Sequence, residues 1–278
     1  MSEFVSTKWL FDNLKDKKIV IFDCSWFLPS ENKNPYKEYK KKHIKGSYFF
    51  NIEDISNKKS LYPHMVPSIK LFKQKIKKFN INKETIIITY GSKDILGPSR
   101  VWWMFKYFGF KNIYVLNGGL SKWIKEKKPT TSIKSKKNNS TFNFLIDSSW
   151  IVNKKDIMQN LINKKNLIFD ARNKKRFNGL ETEPREFLRS GHIPYSKNIF
   201  WKDLTVKGEI ILSKKLIKDI FKKYSLKNKC IIFSCGSGIS ACVLSLSLMH
   251  ALDIKGSVYD GSWAEWGSIK TLPISKKI

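Results

Sequence analysis

Short apolar runs alternate along the chain with stretches of helical periodicity. The runs lie at residues 19–22, 86–89, 113–116, 167–169, 230–233 and 258–259. They are continuously apolar rather than alternating, which is typical of strands covered on both faces. Helical patterns cover residues 68–79, 99–108, 215–224 and 240–252. Strands that alternate with helices predict an α/β fold in which a doubly wound parallel sheet is flanked by helices.

The pattern occurs twice in the chain. Four segments of the first half recur in the second half, in the same order and at nearly constant spacing, beginning at Ile21 and Ile168, His43 and His192, Ile88 and Phe233, and Leu116 and Tyr259. Ordered matches of this kind indicate two tandem copies of one domain. Residues 129–149 are rich in Thr, Ser, Lys and Asn and are predicted to be a linker. The predicted domains are therefore residues 1–128 and 150–278.

Composition is compatible with two folded domains. The chain has 278 residues, of which 41% are hydrophobic and 27% charged. No window approaches the roughly 18 uncharged apolar residues of a membrane span. The first ten residues also lack the features of a secretory signal. We therefore expect a soluble, cytoplasmic protein.

The four cysteines show neither C-x-x-C metal spacing nor the density of a disulfide scaffold. We expect free thiols, no metal site and no cofactor. Cys24, Cys230 and Cys242 are predicted to be inert core residues.

The formal net charge of +30 first suggests a nucleic-acid or membrane partner. However, only five of the 53 basic residues are arginines, and the lysines are spread along the whole chain. Lysines that decorate every solvated face are the favoured interpretation, so we expect neither nucleic acid nor membrane as a partner. A basic module that binds such a polyanion remains a minority hypothesis.

The sequence around Cys235 carries the clearest chemical signal. Cys235 directly follows a predicted strand, and Gly236 and Gly238 permit a tight loop before a helix that begins near Ser240. Such a loop points backbone N–H groups inward and aims the positive end of the helix dipole at its centre. A thiolate there is stabilised and is a stronger nucleophile at neutral pH. A phosphatase would need an arginine six positions after the cysteine, and residue 241 is alanine.

The segment from Cys235 to Ala241 resembles the active-site loop of the tandem-rhodanese sulfurtransferases, in the variant of the 3-mercaptopyruvate sulfurtransferases. Ile239 and Ser240 stand where valine and threonine are usual. The basic residues that follow the cysteine in thiosulfate-preferring rhodaneses are missing. The likeness covers about residues 5–273. It implies two rhodanese-like domains, of which only the second is catalytic, because the first has Tyr90 at the position of Cys235.

All five arginines lie in or beside motif segments of this resemblance. Lysine cannot replace the planar, bidentate guanidinium on a carboxylate. The resemblance implies that Arg176 and Arg185 bind the carboxylate of the substrate. Arg100 and Arg172 are predicted to be structural, and Arg189 has no assigned role.

The resemblance also implies a proton relay. Its loop serine maps to Ser237, its histidine to His64 in the first copy, and its acidic residue to Glu53, where some members have aspartate. From the residues alone, a solvated loop histidine is the better interpretation of His64. His43 and His192 occupy equivalent repeat positions and are predicted to share a structural role.

The expected enzyme moves sulfane sulfur from 3-mercaptopyruvate to a thiol acceptor or cyanide through a Cys235 persulfide and releases pyruvate. Gly236, Gly238, Ile239 and Ser240 would bind the small anionic donor. The acceptor would be a thioredoxin-like protein or a small thiol. The alternatives are a thiosulfate-preferring rhodanese and, outside enzymes, a catalytically silent scaffold or basic binding module.

Overall fold

The computed structural model describes residues 2–79, 81–135 and 145–277. The chain divides into two compact units. The first comprises Met1–Ser56, Val66–Asp147 and Val206–Ile211, and the second comprises Asn57–Met65, Ser148–Thr205 and Leu212–Ile278. Each unit thus contains a short segment from the other half of the chain. The predicted domain boundaries at residues 128 and 150 do not include this exchange. Of the predicted linker, residues 136–144 lie outside the described part.

The first unit contains a five-stranded parallel sheet. The strands of this part of the chain, five of which form the parallel sheet, are β1 (Phe4–Val5), β2 (Ile19–Asp23), β3 (His43–Ile44), β4 (Tyr48–Phe49), β5 (Ile86–Tyr90), β6 (Ile113–Leu116) and β7 (Thr130–Thr131). Its helices are α1 (Thr7–Asp12), α2 (Pro35–Lys41), α3 (Ile69–Ile76), α4 (Leu96–Tyr107) and α5 (Gly119–Lys125), with a 3-10 turn at Pro29–Glu31. The sheet order is β1-β6-β5-β2-β4, and β3 pairs with β7 in antiparallel fashion.

The second unit repeats this order. The strands that follow in the chain are β8 (Ile151–Val152), β9 (Leu167–Asp170), β10 (Lys197–Asn198), β11 (Thr205–Val206), β12 (Ile210–Ile211), β13 (Ile231–Ser234) and β14 (Gly256–Tyr259). The helices are α6 (Lys154–Asn163), α7 (Lys174–Asn178), α8 (Lys214–Phe221), α9 (Ala241–Leu252) and α10 (Ser262–Trp266), with 3-10 turns at Ser148–Trp150 and Trp201–Leu204. The parallel sheet has the order β10-β9-β13-β14-β8. The predicted α/β class, with one such sheet in each copy, is confirmed.

Local sequence explains two of the repeated helices. Ser68 precedes α3 and Ser213 precedes α8, and each hydroxyl accepts a hydrogen bond from the N–H group three residues later. A serine N-cap stabilises a helix by about 1 kcal/mol. α8 then buries Ile217 and Phe221, one turn apart, and exposes its lysines. α9 is apolar on nearly all sides and is correspondingly buried.

His43 and His192 perform the same structural task in the two units. The His43 ring stacks on Tyr39 with centroids 3.9 Å apart, and its Nδ1 lies 2.6 Å from the Tyr39 carbonyl oxygen. The His192 ring stacks on Phe177 at 3.8 Å, with Nδ1 2.7 Å from the Phe177 carbonyl oxygen. Burial lowers the pKa of His192. The geometry agrees with the predicted shared structural role.

Two of the three cysteines predicted to be core residues are buried, namely Cys24 and Cys242. The prediction was wrong for Cys230, which is exposed because it precedes β13 instead of lying within it. Among the described residues, no helix has both the length and the apolar character needed to span a bilayer.

Candidate active site

Cys235 is the first residue after β13, the central strand of the second sheet. Its side chain is 1% exposed. Residues 236–240 then lead directly into α9, which has 12 residues. The carboxyl end of the central strand and the positive end of a buried helix therefore meet at this cysteine. In parallel α/β sheets this is the usual place for a ligand or a reactive group.

Hydrogen bonds from α10 fix the backbone of Cys235. The N–H groups of Trp263 and Ala264 donate to the carbonyl oxygens of Cys235 and Gly236, each at 2.9 Å. The N–H of Cys235 donates to Ser262 Oγ at 3.1 Å, and this hydroxyl lies 3.9 Å from Cys235 Sγ. The backbone that carries the thiol is therefore held by β13 on one side and by α10 on the other.

The remainder of the loop turns into α9. Gly238 has φ +76, a conformation that favours glycine. Its carbonyl oxygen accepts a hydrogen bond from Cys242 Sγ at 3.2 Å, and the Ile239 carbonyl accepts from the Cys242 N–H at 3.1 Å. Ser240 is the N-cap residue, and its side chain makes no capping hydrogen bond. Backbone N–H groups at a helix start lack intrahelical partners and can bind an anion.

His64 and Ser237 lie together in the second unit. His64 Nδ1 is 3.0 Å from Ser237 Oγ, and the two side chains are 6% and 7% exposed. His64 belongs to the exchanged segment Asn57–Met65, which is closed by a hydrogen bond from the Asn57 N–H to the Met65 carbonyl oxygen at 2.8 Å. His64 is thus a buried, hydrogen-bonded residue, which corrects the interpretation of a solvated loop histidine.

Arg176 lies against the cysteine loop. A Cβ atom added to Gly236 would lie 3.1 Å from Arg176 Nη2, so a glycine there admits the guanidinium. The Nε and Nη2 groups of Arg176 both donate to the carboxylate of Glu183, whose side chain is fully buried. The arginine is therefore held in one orientation beside the residue that follows the nucleophile.

Arg172 lies two residues after Asp170, the last residue of β9, and is almost completely buried. Its guanidinium donates to Asp170 Oδ2 at 2.6 Å, to Glu183 Oε1 at 2.8 Å and to the Gly191 carbonyl oxygen at 2.8 Å. Burial lowers the pKa of Arg172, but the two carboxylates outweigh this and the net shift is upward. The predicted structural role of Arg172 agrees with this geometry.

A family model described as the rhodanese-like domain matches residues 6–126 and 154–269. The matches cover both copies of the repeat.

The chain belongs to the rhodanese family.

Curated relatives cover nearly the whole of this rhodanese. A protein named 3-mercaptopyruvate sulfurtransferase from Mus musculus is 34% identical over 94% of the chain and 91% of its own length. The protein of the same name from Escherichia coli K12 is 33% identical over 98% and 97%. An Arabidopsis thaliana relative, 32% identical over 97% and 77%, is named thiosulfate/3-mercaptopyruvate sulfurtransferase 1, mitochondrial. This rhodanese is accordingly an enzyme of the sulfurtransferase class.

Two solved structures share the fold along the full chain. SseA from Escherichia coli, titled as a 3-mercaptopyruvate sulfotransferase structure, superposes with a TM-score of 0.86 at 31% identity, over 95% of this chain and 99% of SseA. Tum1 from Saccharomyces cerevisiae superposes with a TM-score of 0.89 at 29% identity, over 100% and 99%. The expected family is confirmed.

Glu53 and Arg185 are the other charged residues of the predicted site in this rhodanese. Glu53 belongs to the first unit, where its carboxylate accepts a hydrogen bond from Trp26 Nε1 at 3.0 Å. Arg185 follows Glu183 by two residues and is partly exposed. Within the second unit, Cys235, Ser237, His64 and Arg176 are the predicted side chains that the described contacts join to the cysteine loop.

Three residues with clear contacts received no role from the sequence. Glu183 orients Arg176 and Arg172, and Ser262 contacts Cys235. Arg189 donates hydrogen bonds to five backbone carbonyl oxygens between Trp266 and Leu272. Glu183 stands between Arg176 and Arg185 in the chain and Ser262 follows Gly261, so an acid between two arginines and a serine after a glycine were the available signals. Among the described residues, no group of three or more His, Cys, Asp or Glu could hold a metal ion.

Proposed function

We propose that this rhodanese transfers sulfane sulfur from 3-mercaptopyruvate to a thiol acceptor or to cyanide through a persulfide on Cys235. The observation that carries the proposal is the buried cysteine at the start of α9 with the Arg176 guanidinium against Gly236. A guanidinium beside the nucleophile suits a sulfur donor that carries a carboxylate. The relatives named 3-mercaptopyruvate sulfurtransferase support the same donor.

In the first half-reaction, the Cys235 thiolate attacks the sulfur atom of the donor. A sulfur–sulfur bond forms while the carbon–sulfur bond breaks, and its electron pair remains on the carbon framework as the enolate of pyruvate. Arg176 and Arg185 hold the donor's carboxylate. The backbone of Gly236, Gly238, Ile239 and Ser240 surrounds the transferred sulfur, and the helix start stabilises negative charge there.

The enolate then takes up a proton and leaves as pyruvate. Ser237 is the proposed immediate donor, because its hydroxyl is held 3.0 Å from His64 Nδ1 and the pair is buried. His64 can resupply the serine, and Glu53 is proposed as the acidic end of the relay. Within this relay, proton transfer between His64 and Ser237 is supported by the distance between their side chains in the structure.

In the second half-reaction, an acceptor thiolate attacks the outer sulfur of the persulfide. The sulfur–sulfur bond breaks, and Cys235 leaves as a thiolate ready for the next donor. Two displacements on one residue predict ping-pong kinetics. A thioredoxin-like protein and a small thiol are the proposed acceptors, and a compartment that keeps thiols reduced, such as the cytoplasm, is the proposed location.

The test is intact mass spectrometry after treatment with 3-mercaptopyruvate and removal of the excess donor. We expect one added sulfur atom on the wild-type chain, lost on addition of a thiol, and no addition to Cys235→Ser. Cys230→Ser is the matched control, because it removes an exposed cysteine outside the loop and leaves the adduct in place. An adduct that persists in Cys235→Ser would refute the mechanism.

Thiosulfate is the second candidate donor, because a relative named thiosulfate sulfurtransferase from Rattus norvegicus is 32% identical over 94% of the chain. Thiosulfate has no carboxylate, so Arg176→Ala discriminates between the donors. We expect a larger loss of kcat/KM for 3-mercaptopyruvate than for thiosulfate. Equal losses would mean that the guanidinium recognises only negative charge.

A further inference from the structure

The first unit contains a groove in which Glu53 is the one lining residue with a proposed role in sulfur transfer. It has a volume of about 730 Å³ and extends past the carboxyl end of β4, the edge strand of the first sheet. Its aromatic lining includes Tyr36, Tyr39, Tyr48 and Phe49. The size lies within the range of small-molecule binding sites, and the carboxyl ends of parallel strands are where such sites occur.

The aromatic rings form a wall with an accessible face. Tyr36 packs against Phe49 with centroids 5.3 Å apart, and Tyr39 packs behind both rings, 5.6 Å from Phe49 and 6.2 Å from Tyr36. Tyr39 is 4% exposed, whereas Tyr36 is 38% exposed. The wall is therefore anchored from behind and offers the Tyr36 ring to the solvent.

Two ammonium groups lie beside the same ring. Lys40 Nζ is 5.4 Å and Lys134 Nζ is 5.8 Å from the Tyr36 centroid. With the residues that the structure describes, neither lysine forms an ion pair. Lys75, which also lines the groove, is compensated by Asp54 at 3.5 Å. Two ammonium groups that form no ion pair with the described residues therefore lie at the Tyr36 end.

The second unit shows that the fold does not require this wall. Tyr48 and Phe49 pair with Phe22 and Asp23 along the first sheet. At the same place in the second sheet, Lys197 and Asn198 pair with Phe169 and Asp170. A lysine and an asparagine therefore complete the equivalent strand. Aromatic side chains at both positions of β4 are a property of the first unit and not of the common architecture.

We propose that this groove binds a flat aromatic ring that carries a phosphate, as in a mononucleotide. The ring stacks on Tyr36, because nucleobases stack on aromatic side chains whatever their hydrogen-bonding edge. Phe49, whose plane is tilted by 47° from that of Tyr36, packs against the side of the bound ring. The phosphate meets Lys40 and Lys134, since an ammonium group is a compact partner for phosphate. Two carboxylates also line the groove. Glu53 accepts a hydrogen bond from Trp26, and Asp54 forms an ion pair with Lys75. None of the four residues that would bind this ligand has a role in the proposed sulfur transfer.

The test is isothermal titration calorimetry on the full chain with AMP, phenyl phosphate, adenosine and inorganic phosphate. We expect AMP and phenyl phosphate to bind with a 1:1 stoichiometry, and adenosine and inorganic phosphate to bind at least about tenfold more weakly, because each makes only half of the contacts. Binding of AMP alone would identify a nucleotide as the source. Binding of both aromatic phosphates would identify the shared ring-and-phosphate chemistry.

Variants separate the two halves of the site. Tyr36→Leu keeps an apolar side chain but removes the ring, and we expect AMP to bind about 5- to 100-fold more weakly. The double variant Lys40→Gln, Lys134→Gln should weaken AMP and leave adenosine unchanged. Tyr195→Ala is the matched control: this exposed tyrosine of the second unit also has a lysine beside it, with Lys164 Nζ 4.4 Å from the ring centroid, and AMP affinity should not change.

Three results would overturn the proposal. AMP and phenyl phosphate could both fail to bind at millimolar concentration. Inorganic phosphate could bind as tightly as AMP, which would leave the ring without a role. Tyr36→Leu and Tyr195→Ala could weaken AMP equally, which would mean that the ligand associates with lysines over the whole surface.

Discussion

The loops that follow β5 and β13 occupy equivalent places in the two units and have different roles. Each loop connects the central strand of its sheet to a helix of 12 residues. In the first unit the strand ends in Tyr90, whose buried hydroxyl accepts a hydrogen bond from the Ile44 N–H at 3.2 Å and lies 2.9 Å from Ser47 Oγ.

In the second unit Ser234 ends the strand and pairs with Asp170 as Tyr90 pairs with Asp23, so the residue equivalent to Cys235 is Gly91, and the sequence match of Tyr90 with Cys235 was wrong. The N–H groups of Leu120 and Trp263 donate to the carbonyl oxygens of Gly91 and Cys235, each at 2.9 Å. The same backbone position therefore carries a glycine in the first unit and the proposed nucleophile in the second.

The neighbouring strands show the same contrast. Asp23 ends β2 and accepts hydrogen bonds from the N–H and the hydroxyl of Ser25 at 2.9 and 2.5 Å. Burial raises the pKa of Asp23. Asp170 ends β9 and instead pairs with Arg172. A serine or an arginine two residues after the aspartate thus decides whether the carboxylate has a neutral or a positively charged partner.

The exchanged segments sharpen the contrast. In the first unit, the Gly208 carbonyl accepts a hydrogen bond from the Ile95 N–H at 3.0 Å, and Glu209 helps to line a cavity of only about 10 Å³ at the loop. That volume holds about one water molecule. In the second unit, the exchanged segment brings His64 to Ser237. One segment closes a loop, and the other adds a functional group to it.

The largest expected effect comes from moving the nucleophile between the loops. Cys235→Ser should lower sulfur-transfer kcat by roughly 10⁴-fold or more, because no other side chain replaces the thiolate. Adding Gly91→Cys, the equivalent position in the first unit, to that variant should not restore activity, because the first unit has Ser25 where the second has Arg172. The measurement is pyruvate release from 3-mercaptopyruvate. Recovery of activity in the double variant would show that a cysteine at the strand end is sufficient.

The second-largest effect is expected at the partners of the two aspartates that end β2 and β9. Arg172→Gln removes the counter-ion of two buried carboxylates and should lower the free energy of unfolding by about 3 to 5 kcal/mol. Ser25→Ala, the equivalent change in the first unit, should cost only about 1 kcal/mol, because it removes a neutral partner. Denaturant unfolding of both variants measures the difference. Equal costs would mean that Arg172 contributes no more than an ordinary hydrogen bond.

The sequence predicted the features that depend on local patterns. Continuous apolar runs located the strands, since a strand covered on both faces has no polar side. The order of the repeated segments predicted two copies. The position of Cys235 between a buried strand and a glycine-containing loop predicted its place at a helix start. Each of these inferences needs only residues that are close in sequence.

Other features depend on residues that are distant in sequence and have no periodic signal. The exchange of Asn57–Met65 and Val206–Ile211 between the units is of this kind, because a polar loop carries no mark of the core on which it packs. The orientation of Arg176 by Glu183 follows from the path of an irregular loop. The five carbonyl contacts of Arg189 likewise require the position of the chain after α10.

A smaller effect is expected where the first unit uses its loop for stability. Tyr90→Phe removes the partner of the buried Ile44 N–H and should lower the free energy of unfolding by about 1 to 3 kcal/mol. Sulfur transfer by the folded protein should be unchanged, since the residue lies outside the catalytic loop. Thermal unfolding and a kinetic assay on the same sample test both statements. A loss of kcat without a loss of stability would assign Tyr90 a functional role.

The smallest expected effect concerns the helices that follow the two loops. α9 has His250 at the place where α4 has the fully buried Phe105. Burial, aided by Lys214, lowers the pKa of His250 to about 4. The unfolded chain, with a pKa near 6.5, binds a proton first as the pH falls. His250 therefore contributes stability that is complete above about pH 6.5 and is lost between there and pH 4.

His250→Phe makes α9 resemble α4 and removes this dependence. Because the histidine is partly exposed, the difference should be about 1 kcal/mol or less. The measurement is the change in the free energy of unfolding from pH 7 to pH 5 in both proteins. Other groups, including Asp23 with its raised pKa, titrate in both proteins and cancel in the comparison. We expect the wild type to lose more stability than His250→Phe, and parallel losses would show that His250 titrates alike in the folded and unfolded chains.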